Sequence, residues 1–379
     1  MFVRIGHHRR YTANHAWHAD VLGQKFFVKA NPAIAEARAE TAGYRVLAEH
    51  YPVPALLAHG RAGRWYVHVY RRQPGVGPGR GLLLDLITTA ENTGRYGELD
   101  AAAADILGHY RRVITATVRR RTPHELVQKL YGDRARPGGR LDAYYRTGRL
   151  WLTGPDGTPV GTDDLAGTTL LFNRVEHRLD LPAVLDDLRS EFASGRSVWS
   201  VVTQGDPTAF NLGWTSQNGP FWFDYDTGGH NAIAGEFAVA LVDLLLHGAR
   251  LTPAMHPDAY ADHPAALATA PSGPGATLHQ VRTGLIEADI HHRASPARRW
   301  LAALYLRDLV VPVAADLGID NVAGWLRPYL LLRLLGVYHP ADLTAADALV
   351  LLAAITHVQN PHLELETLLD LTAPVEATP

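Results

Sequence analysis

The chain of 379 residues contains no cysteine, which excludes disulfide scaffolding, cysteine-bound zinc and thiol catalysis. It has little net charge, formally −2, and therefore no basic field that could hold a nucleic acid. The sequence has no run of about 18 uncharged apolar residues, so no membrane-spanning helix is predicted. Its first residues lack the apolar stretch of a signal peptide, and a cytoplasmic location is expected.

Lysine is also scarce, because Lys25, Lys29 and Lys129 are the only ones and arginine supplies the remaining positive charge. A lysine at a chemically meaningful place is therefore more informative than usual. Several familiar motifs are missing as well. The sequence has no Walker P-loop, no Gly-x-Gly-x-x-Gly, no His-Glu-x-x-His and no Gly-x-Ser-x-Gly. These absences disfavour P-loop nucleotide hydrolases, dinucleotide-binding domains, zinc metalloproteases and serine hydrolases.

The pattern of β-prone and helical segments predicts two unequal lobes. A β-prone segment at 24–30 ends at Asn31 and Pro32, which we expect to begin a helix reaching about His50, and a further strand is predicted at 64–71. A linker rich in glycine and proline follows at 74–81. Helical periodicity then predominates, at about 82–91, 99–121, 171–195, 233–250, 297–317 and 322–337. We predict a small β-rich amino-terminal lobe at 1–72 and a larger, mainly helical lobe at 73–379.

A tryptophan-rich β-like island at 198–226 gathers polar side chains. Asn218-Gly219 is a strong hairpin signal, and folding the chain there places Asn211 opposite Asp224 or within two residues of it. Asp206 lies five residues before Asn211. Carboxylate and carboxamide oxygens suit Mg²⁺, and the remaining aspartate could orient or deprotonate a hydroxyl.

The alternative interpretation is that these residues are ordinary turn formers, as aspartate and asparagine often are. Asp224 fits that interpretation poorly. It follows Phe221-Trp222-Phe223, and a carboxylate in such apolar surroundings is costly unless it is paired or bound to a metal.

Lys29 ends the first predicted strand, and the helix after it carries acidic residues on one face. Glu36, Glu40, Tyr44 and Leu47 share a stripe at helical spacing. Because Glu40 shares that face with an aromatic residue and a leucine, we expect it to pair with Lys29, with Glu36 as the reserve. The alternative is a lysine at a strand edge and a solvated helix face.

The segment Gln204-Gly205-Asp206-x-x-x-x-Asn211, followed by Phe223-Asp224-Tyr225-Asp226, resembles the catalytic and metal-binding segments of the aminoglycoside phosphotransferase-like kinases. That family includes choline, sugar and fructosamine kinases. The resemblance implies an α+β, protein-kinase-like fold with two lobes. The sequence departs from the family at Gln204, where histidine is usual.

The resemblance also implies a role for each matching residue. Asp206 would be the catalytic base, and Asn211 and Asp224 would hold Mg²⁺. Lys29, supported by Glu40, would contact the phosphates of ATP or GTP. Asp226 would be either a supporting acid or a turn residue. The segment 66–72, which includes Tyr70, would be the hinge that contacts the nucleotide base, and the hairpin that covers the phosphates would lie at about 5–19, without its glycine motif.

The sequence therefore predicts a small-molecule kinase that phosphorylates a hydroxyl of an antibiotic, a sugar or another natural product. A catalytically inactive kinase-like binding module is the alternative, because the glycine motif is missing and Gln204 replaces the usual histidine. A helical scaffold with accidental motif matches is a third reading. Nucleic-acid and membrane partners are not expected.

Overall fold

The computed structural model describes residues 3–11, 14–146 and 150–372, with side chains described from residue 14 onward. The strands are β1 (Val3–Tyr11), β2 (Asn14–Val21), β3 (Gln24–Asn31), β4 (Leu56–Ala62), β5 (Trp65–Arg71), β6 (Arg119–Arg121), β7 (Leu150–Thr153), β8 (Pro159–Gly161), β9 (Thr168–Phe172), β10 (Val175–Leu179), β11 (Val198–Thr203), β12 (Leu212–Thr215), β13 (Gly219–Trp222), β14 (Gly229–Ala232), β15 (Ala276–Arg282) and β16 (Leu285–Ile290).

The α-helices are α1 (Ile34–Ala48), α2 (Leu83–Thr93), α3 (Gly97–Thr117), α4 (Gly132–Ala135), α5 (Arg140–Tyr145), α6 (Leu181–Ala193), α7 (Ile233–Val242), α8 (Thr252–Met255), α9 (Pro264–Thr269), α10 (Pro296–Tyr305), α11 (Val311–Asp316), α12 (Val322–Leu335) and α13 (Ala345–Gln359). Two π-helical segments, Asp243–Leu251 and Leu306–Val310, lie between consecutive α-helices. The predicted fold class is confirmed, since a β-rich amino-terminal region precedes a mainly helical remainder.

The helix predicted at 171–195 is wrong over its first part. The chain there forms β9 and β10, and only α6 is helical. Phe172 pairs with Val175 across a turn of two residues, Asn173 and Arg174, which both have left-handed backbones with φ of 49° and 68°. This is the backbone of a tight hairpin turn, in which glycine is the usual second residue.

The start of α1 also differs from the prediction. The helix begins at Ile34, and Ala33 rather than Asn31 is its N-cap residue. Asn31 still contributes, because its side-chain oxygen accepts a hydrogen bond from the backbone N–H of Ala33 at 2.8 Å. That bond forms a local turn just before the helix instead of capping it.

Contacts divide the chain into two compact units. The first combines Met1–Arg119, Ser200–Asn231 and Thr252–Ala270, and the second combines Arg120–Trp199, Ala232–Leu251 and Pro271–Pro379. The predicted lobe boundary after residue 72 stays a prediction. Every residue predicted for the active site belongs to the first unit.

The first unit contains a five-stranded antiparallel sheet with the strand order β1-β2-β3-β5-β4. Its register places Lys29 beside Ala16 of β2 and His68 of β5, and Phe27 beside Tyr70. Because side chains alternate between the two faces of a strand, Phe27, Lys29, His68 and Tyr70 share one face. Glu40 of α1 and Tyr70 are hydrogen-bonded, so α1 packs on that same face.

The second unit contains a four-stranded sheet with the order β10-β9-β16-β15, in which β9 and β16 are parallel. Its helices include the apolar α7 and α13. The helical stretch Ile233–Met255 is long and apolar enough to cross a membrane, but 94% of its most apolar window is buried inside the structure. Core helices of soluble proteins have the same composition, so this stretch is weak evidence for a membrane span.

Candidate active site

Lys29 is the point at which three parts of the first unit meet. Its Nζ atom donates a hydrogen bond to Oε2 of Glu40 at 2.7 Å and another to Oδ1 of Asp224. These partners come from α1 and from the loop after β13, far apart in sequence. The Lys29 side chain is only 12% exposed, so it does not face bulk water. The predicted contact between Lys29 and Glu40 is present.

Glu40 is held by a second donor besides Lys29. The hydroxyl of Tyr70 donates to Oε1 of Glu40 at 2.8 Å, and both side chains are buried. The reserve candidate, Glu36, instead accepts a hydrogen bond from the side-chain amide of Asn31 at 2.8 Å. Glu40 is therefore the acidic partner of Lys29, as its place on the helix stripe predicted.

The charges in this cluster are unequal. Burial on its own lowers the pKa of Lys29, but the carboxylates of Asp224, Glu40 and Asp226 outweigh it and raise that pKa above its ordinary value. Burial raises the pKa of Glu40, and the ammonium of Lys29 opposes that rise. One ammonium faces more than one carboxylate, and such a surplus of negative charge attracts a divalent cation.

The β12–β13 hairpin brings Asn211 next to the acidic loop. The two strands pair from Leu212 with Trp222 to Thr215 with Gly219, which confirms the predicted hairpin. Its loop, 216–218, is closed by a left-handed Gly219 with φ of 68°. The backbone N–H of Phe223 donates to the carbonyl oxygen of Asn211 at 2.9 Å. Asn211 thus lies one residue out of register with Asp224, within the predicted range.

Asp206 lies in a tight loop held by Asn211. The amide nitrogen of the Asn211 side chain donates to the backbone oxygen of Asp206 at 2.8 Å and lies 3.4 Å from its Oδ2 atom. Only glycine fits at position 205 of this loop. Its φ is +87°, and an added Cβ atom would lie 2.5 Å from the carbonyl oxygen of Thr227. The predicted base and one predicted metal ligand are therefore in direct contact.

Gln204 links the Asp206 loop to the Asp224 loop. Its side-chain nitrogen donates to the carbonyl oxygens of Phe223 at 3.0 Å and Asp224 at 2.6 Å. Its side-chain oxygen accepts from the backbone N–H of Asp206 at 2.8 Å. The residue that departs from the family pattern thus joins the two functional loops.

Gly43 brings helix α1 against the acidic loop. A Cβ atom at this position would lie 1.8 Å from the carbonyl oxygen of Tyr225 and 3.0 Å from that of Gly228. The backbone of α1 therefore touches the loop directly, and no side chain separates them. This contact fixes the distance between Glu40, one turn earlier on α1, and Asp224.

The Asp206 loop has a second support that sequence reasoning missed. The backbone N–H of Leu84, in the first turn of α2, donates to the carbonyl oxygen of Ala209 at 3.1 Å. Asp85 binds Nδ1 of His263 at 2.6 Å, and the His263 ring packs edge-on against Phe210 with centroids 6.0 Å apart. The isolated glycine within the α1 pattern was the available signal for Gly43, whereas nothing local in the sequence marked the contact between Asp85 and His263.

The predicted hinge at 66–72 coincides with β5, which pairs with β3 on one side and β4 on the other. The backbone N–H of Arg71 donates to Ala55 at 2.8 Å and that of Arg72 donates to Lys25 at 2.9 Å. The backbone of this segment is therefore engaged in the sheet. The Tyr70 side chain points to Glu40, and its predicted contact with nucleotide stays a prediction. Residues 12 and 13 of the predicted phosphate-covering hairpin lie outside the described residues.

Within the described ranges, no group of three or more His, Cys, Asp or Glu side chains is arranged to hold a metal ion. Mg²⁺ needs fewer protein ligands, because water and phosphate oxygens complete its shell. Asn211 turns its amide nitrogen to Asp206, so its side-chain oxygen is the atom that would face a cation, and the side chain of Asp224 is 41% exposed. These two residues fit an ion that arrives with a nucleotide.

No protein-family model and no curated protein sequence matches the chain. Solved structures do match at low identity. A thermostable mutant of aminoglycoside phosphotransferase APH(4)-Ia is 14% identical, with a TM-score of 0.40, over 89% of this chain and 95% of that one. A glucosamine kinase is 11% identical, with a TM-score of 0.40, over 92% of each chain. Plasmodium vivax ethanolamine kinase is 8% identical, with a TM-score of 0.40, over 98% of this chain and 79% of that one. By their names, these three proteins are an aminoglycoside phosphotransferase, a glucosamine kinase and an ethanolamine kinase.

Proposed function

We propose that this chain is a phosphotransferase that moves the γ-phosphoryl group of ATP or GTP to a hydroxyl of a small molecule. The observation that carries the proposal is the contact of Lys29 with both Glu40 and Asp224. Hydrogen bonds through Asn211 and Gln204 tie Asp206 to the same cluster. A lysine, a carboxamide and two aspartates brought together in this way are what phosphoryl transfer requires.

Each side chain has a separate part in the proposed reaction. Lys29 binds nucleotide phosphates, and its charged state is secured by Glu40, which Tyr70 holds in place. The Asp206 carboxylate orients the acceptor hydroxyl and takes its proton. The acceptor oxygen bonds to the γ-phosphorus while the bond from that phosphorus to the β–γ bridging oxygen breaks. Because no protein atom bonds to phosphorus, the rate gain comes from positioning and electrostatic stabilisation.

Asn211 and Asp224 would hold Mg²⁺, which neutralises charge on the phosphate oxygens when it is bound. The Lys29–Asp224 contact suggests how the site changes when nucleotide arrives. Phosphate oxygens offer Lys29 a new partner, and the Asp224 carboxylate is then available to a cation. Nucleotide and Mg²⁺ should therefore bind cooperatively.

The test is a screen for phosphoryl transfer. The purified chain is mixed with Mg²⁺, ATP or GTP and a panel of hydroxylated acceptors that includes aminoglycosides, amino sugars and ethanolamine. Nucleoside diphosphate release and ³¹P NMR then report the reaction. We expect turnover with one acceptor class, and Asp206→Asn should lower it by about 100-fold to 10,000-fold while nucleotide still binds. Asp100→Asn, at an exposed position on α3, is the matched control and should leave turnover unchanged. Near-normal turnover by Asp206→Asn would refute the base assignment.

A catalytically inactive kinase-like binding module is the second candidate. The observation that favours it is the missing Gly-x-Gly-x-x-Gly between residues 5 and 19, where a phosphate-covering loop is expected. Thermal unfolding with and without Mg²⁺ and nucleotide separates the two candidates. Stabilisation without nucleotide consumption across the whole panel would favour the inactive module. No stabilisation by any nucleotide would exclude the phosphotransferase and would leave, of the inactive modules, only one that binds a different ligand.

A further inference from the structure

Gln204 is completely buried, and its side chain lies between the two loops that carry Asp206 and Asp224. Both loops present backbone groups to it. A carboxamide has two N–H donors and one carbonyl acceptor. Here the nitrogen donates twice, to Phe223 and Asp224, and the oxygen accepts once, from Asp206. Every group of the side chain is therefore used.

The two carbonyl groups that Gln204 binds define the backbone of Asp224. The carbonyl of Phe223 belongs to the peptide plane before the Asp224 Cα atom, and the carbonyl of Asp224 belongs to the plane after it. Rotation of these planes about that Cα atom is what φ and ψ measure. Hydrogen bonds to both oxygens therefore fix both angles at Asp224.

The φ angle is unusual. Asp224 has a φ of 57°, in the left-handed region that is uncommon for any residue other than glycine, although aspartate adopts it more often than most, and that costs up to about 1–2 kcal/mol. Without restraint, the segment would relax towards an extended or right-handed backbone. The Cα–Cβ bond of Asp224 would then point elsewhere, and its carboxylate would leave Lys29. An unusual backbone at a functional residue requires surroundings that hold it there.

Histidine, the usual residue at this place in the family, cannot make the same set of bonds. A neutral imidazole has one N–H donor and one acceptor nitrogen, and an imidazolium has two donors and no acceptor. Neither form can donate twice and accept once. The carboxamide of Gln204 does both without carrying charge, so the geometry of this chain matches glutamine in particular.

We propose that Gln204 is a positioning residue: it sets the left-handed backbone of Asp224, aims the Asp224 carboxylate at Lys29, and holds Asp206 in register with it. This inference rests on the proposed phosphotransferase function for its effect on turnover. Its structural part does not depend on that function, because the hydrogen bonds exist in the chain alone.

Three variants at this position separate positioning from plain stability. Gln204→Met keeps the volume and removes all three hydrogen bonds. Gln204→Glu, when ionised, keeps the acceptor for Asp206 and loses both donors. Gln204→His keeps one donor and one acceptor. Thr117→Val is the matched control, because Thr117 is also buried and accepts a hydrogen bond from the backbone N–H of Val202 at 3.2 Å, away from Asp224.

For Gln204→Met we expect kcat to fall by about 10-fold to 100-fold, and the Mg²⁺ concentration for half-maximal rate to rise by a similar factor. The KM for the acceptor should change less than about twofold, because uniform acceptor binding is not touched. Gln204→His should recover part of the lost kcat, and Gln204→Glu less. If Gln204 mattered only because it is buried, kcat would follow a different order. Gln204→Met would then keep more activity than Gln204→Glu, because burying an ionised carboxylate is costly.

The inference is overturned if Gln204→Met keeps the kcat and Mg²⁺ dependence of the unmodified chain. It is also overturned if Thr117→Val, at a matched free energy of unfolding, lowers kcat as much. Backbone amide hydrogen exchange over 223–228 in the ligand-free protein distinguishes the two proposals. Faster exchange in Gln204→Met but not in Thr117→Val, in a chain that never turns over, would refute the phosphotransferase and support the positioning role. Unchanged exchange would refute the positioning role.

Discussion

Two buried ionic contacts, one in each unit, show different arrangements of charge. In the first unit, Lys29 meets two carboxylates, those of Glu40 and Asp224, and the Asp224 side chain is 41% exposed. In the second unit, Arg250 meets one carboxylate, that of Asp347, at 2.6 Å, with side-chain exposures of 8% and 6%. In the first contact the carboxylates outnumber the ammonium and one of them reaches solvent. In the second contact one guanidinium pairs with one carboxylate, and both are buried.

Further hydrogen bonds hold both members of the Arg250–Asp347 pair. Nη1 of Arg250 donates to the carbonyl oxygen of Gly273 at 3.2 Å, and Oδ2 of Asp347 accepts from the hydroxyl of Thr344 at 2.8 Å. A buried pair that is matched and hydrogen-bonded in this way acts on folding. A cluster with unneutralised carboxylates is destabilised in the free chain, and a cation can relieve that cost. On the proposed function, the Lys29 cluster is therefore the contact that serves binding, and the Arg250–Asp347 pair serves folding.

Arg250→Met should produce the largest effect and should act on stability alone. The substitution leaves the buried Asp347 without its cation, and removal of one partner from a buried pair costs about 3–5 kcal/mol of unfolding free energy. Denaturant unfolding measures this loss. Turnover per folded molecule, measured at low temperature, should match that of the unmodified chain. If turnover fell while the unfolding free energy stayed the same, the Arg250–Asp347 pair would act on activity and not on folding, and the comparison would fail.

Asp224→Asn should do the opposite. Turnover should fall by about 100-fold to 1000-fold, because the amide is a poor Mg²⁺ ligand and no longer attracts Lys29. The unfolding free energy should stay within about 1 kcal/mol of its starting value, since the Asp224 side chain is 41% exposed and an ion pair that reaches solvent contributes little. A large loss of stability would show that Asp224 is structural.

Gly43→Ala tests whether the cluster depends on the close contact of α1 with the acidic loop. The added methyl group would overlap the carbonyl oxygen of Tyr225, so the helix and loop must separate, at a cost of about 1–3 kcal/mol. Nucleotide affinity should fall with it. Gly108→Ala is the control on α3, where the nearest atom to an added Cβ is at 3.8 Å. It should raise stability by up to about 1 kcal/mol, because alanine favours helices. If both variants changed the unfolding free energy in the same direction, the close contact between α1 and the acidic loop would be contradicted.

Tyr70→Phe compares a hydrogen bond to the charged cluster with a hydrogen bond to a neutral acceptor in the second unit. It removes the hydroxyl that donates to the Glu40 carboxylate, and a hydrogen bond to a charged group contributes about 1.5–3 kcal/mol. Tyr145→Phe in the second unit is the matched deletion, because Tyr145 donates to the neutral carbonyl oxygen of Leu335 at 2.9 Å. It should cost about 0.5–1.5 kcal/mol. Chemical denaturation of both variants gives the difference, and equal losses would show that Glu40 is not a charged acceptor.

Short-range patterns predicted much of the cluster. The spacing of Glu40 on its helix stripe and the Asn218-Gly219 turn were sufficient to bring Lys29, Glu40, Asn211 and Asp224 into the right neighbourhoods. Both are local signals, since helix periodicity and hairpin turns depend on residues close in sequence. The resemblance to the kinase family added the expected role of each residue, and those roles remain to be measured.

Features that depend on tertiary contacts were not predictable. The hairpin of β9 and β10 was mistaken for helix, because its turn uses Asn173 and Arg174 where glycine would have signalled it. The hairpin of β15 and β16 was not predicted at all. The contact between Asp85 and His263 joins residues 178 positions apart. The Gln204 bonds could not be foreseen either, because they require both loops to be in place.

The way Lys29 is held also affects how this chain can be labelled. Amine acylation needs a neutral amine, and the neighbouring carboxylates keep Lys29 protonated and enclosed. Lys25, at the exposed start of β3, has no such protection. An ester reagent used to attach a dye or to immobilise the protein should therefore react at Lys25 and spare Lys29. With only the half-buried Lys129 as a competing lysine, the label is confined to few positions, which suits single-molecule and surface-based measurements.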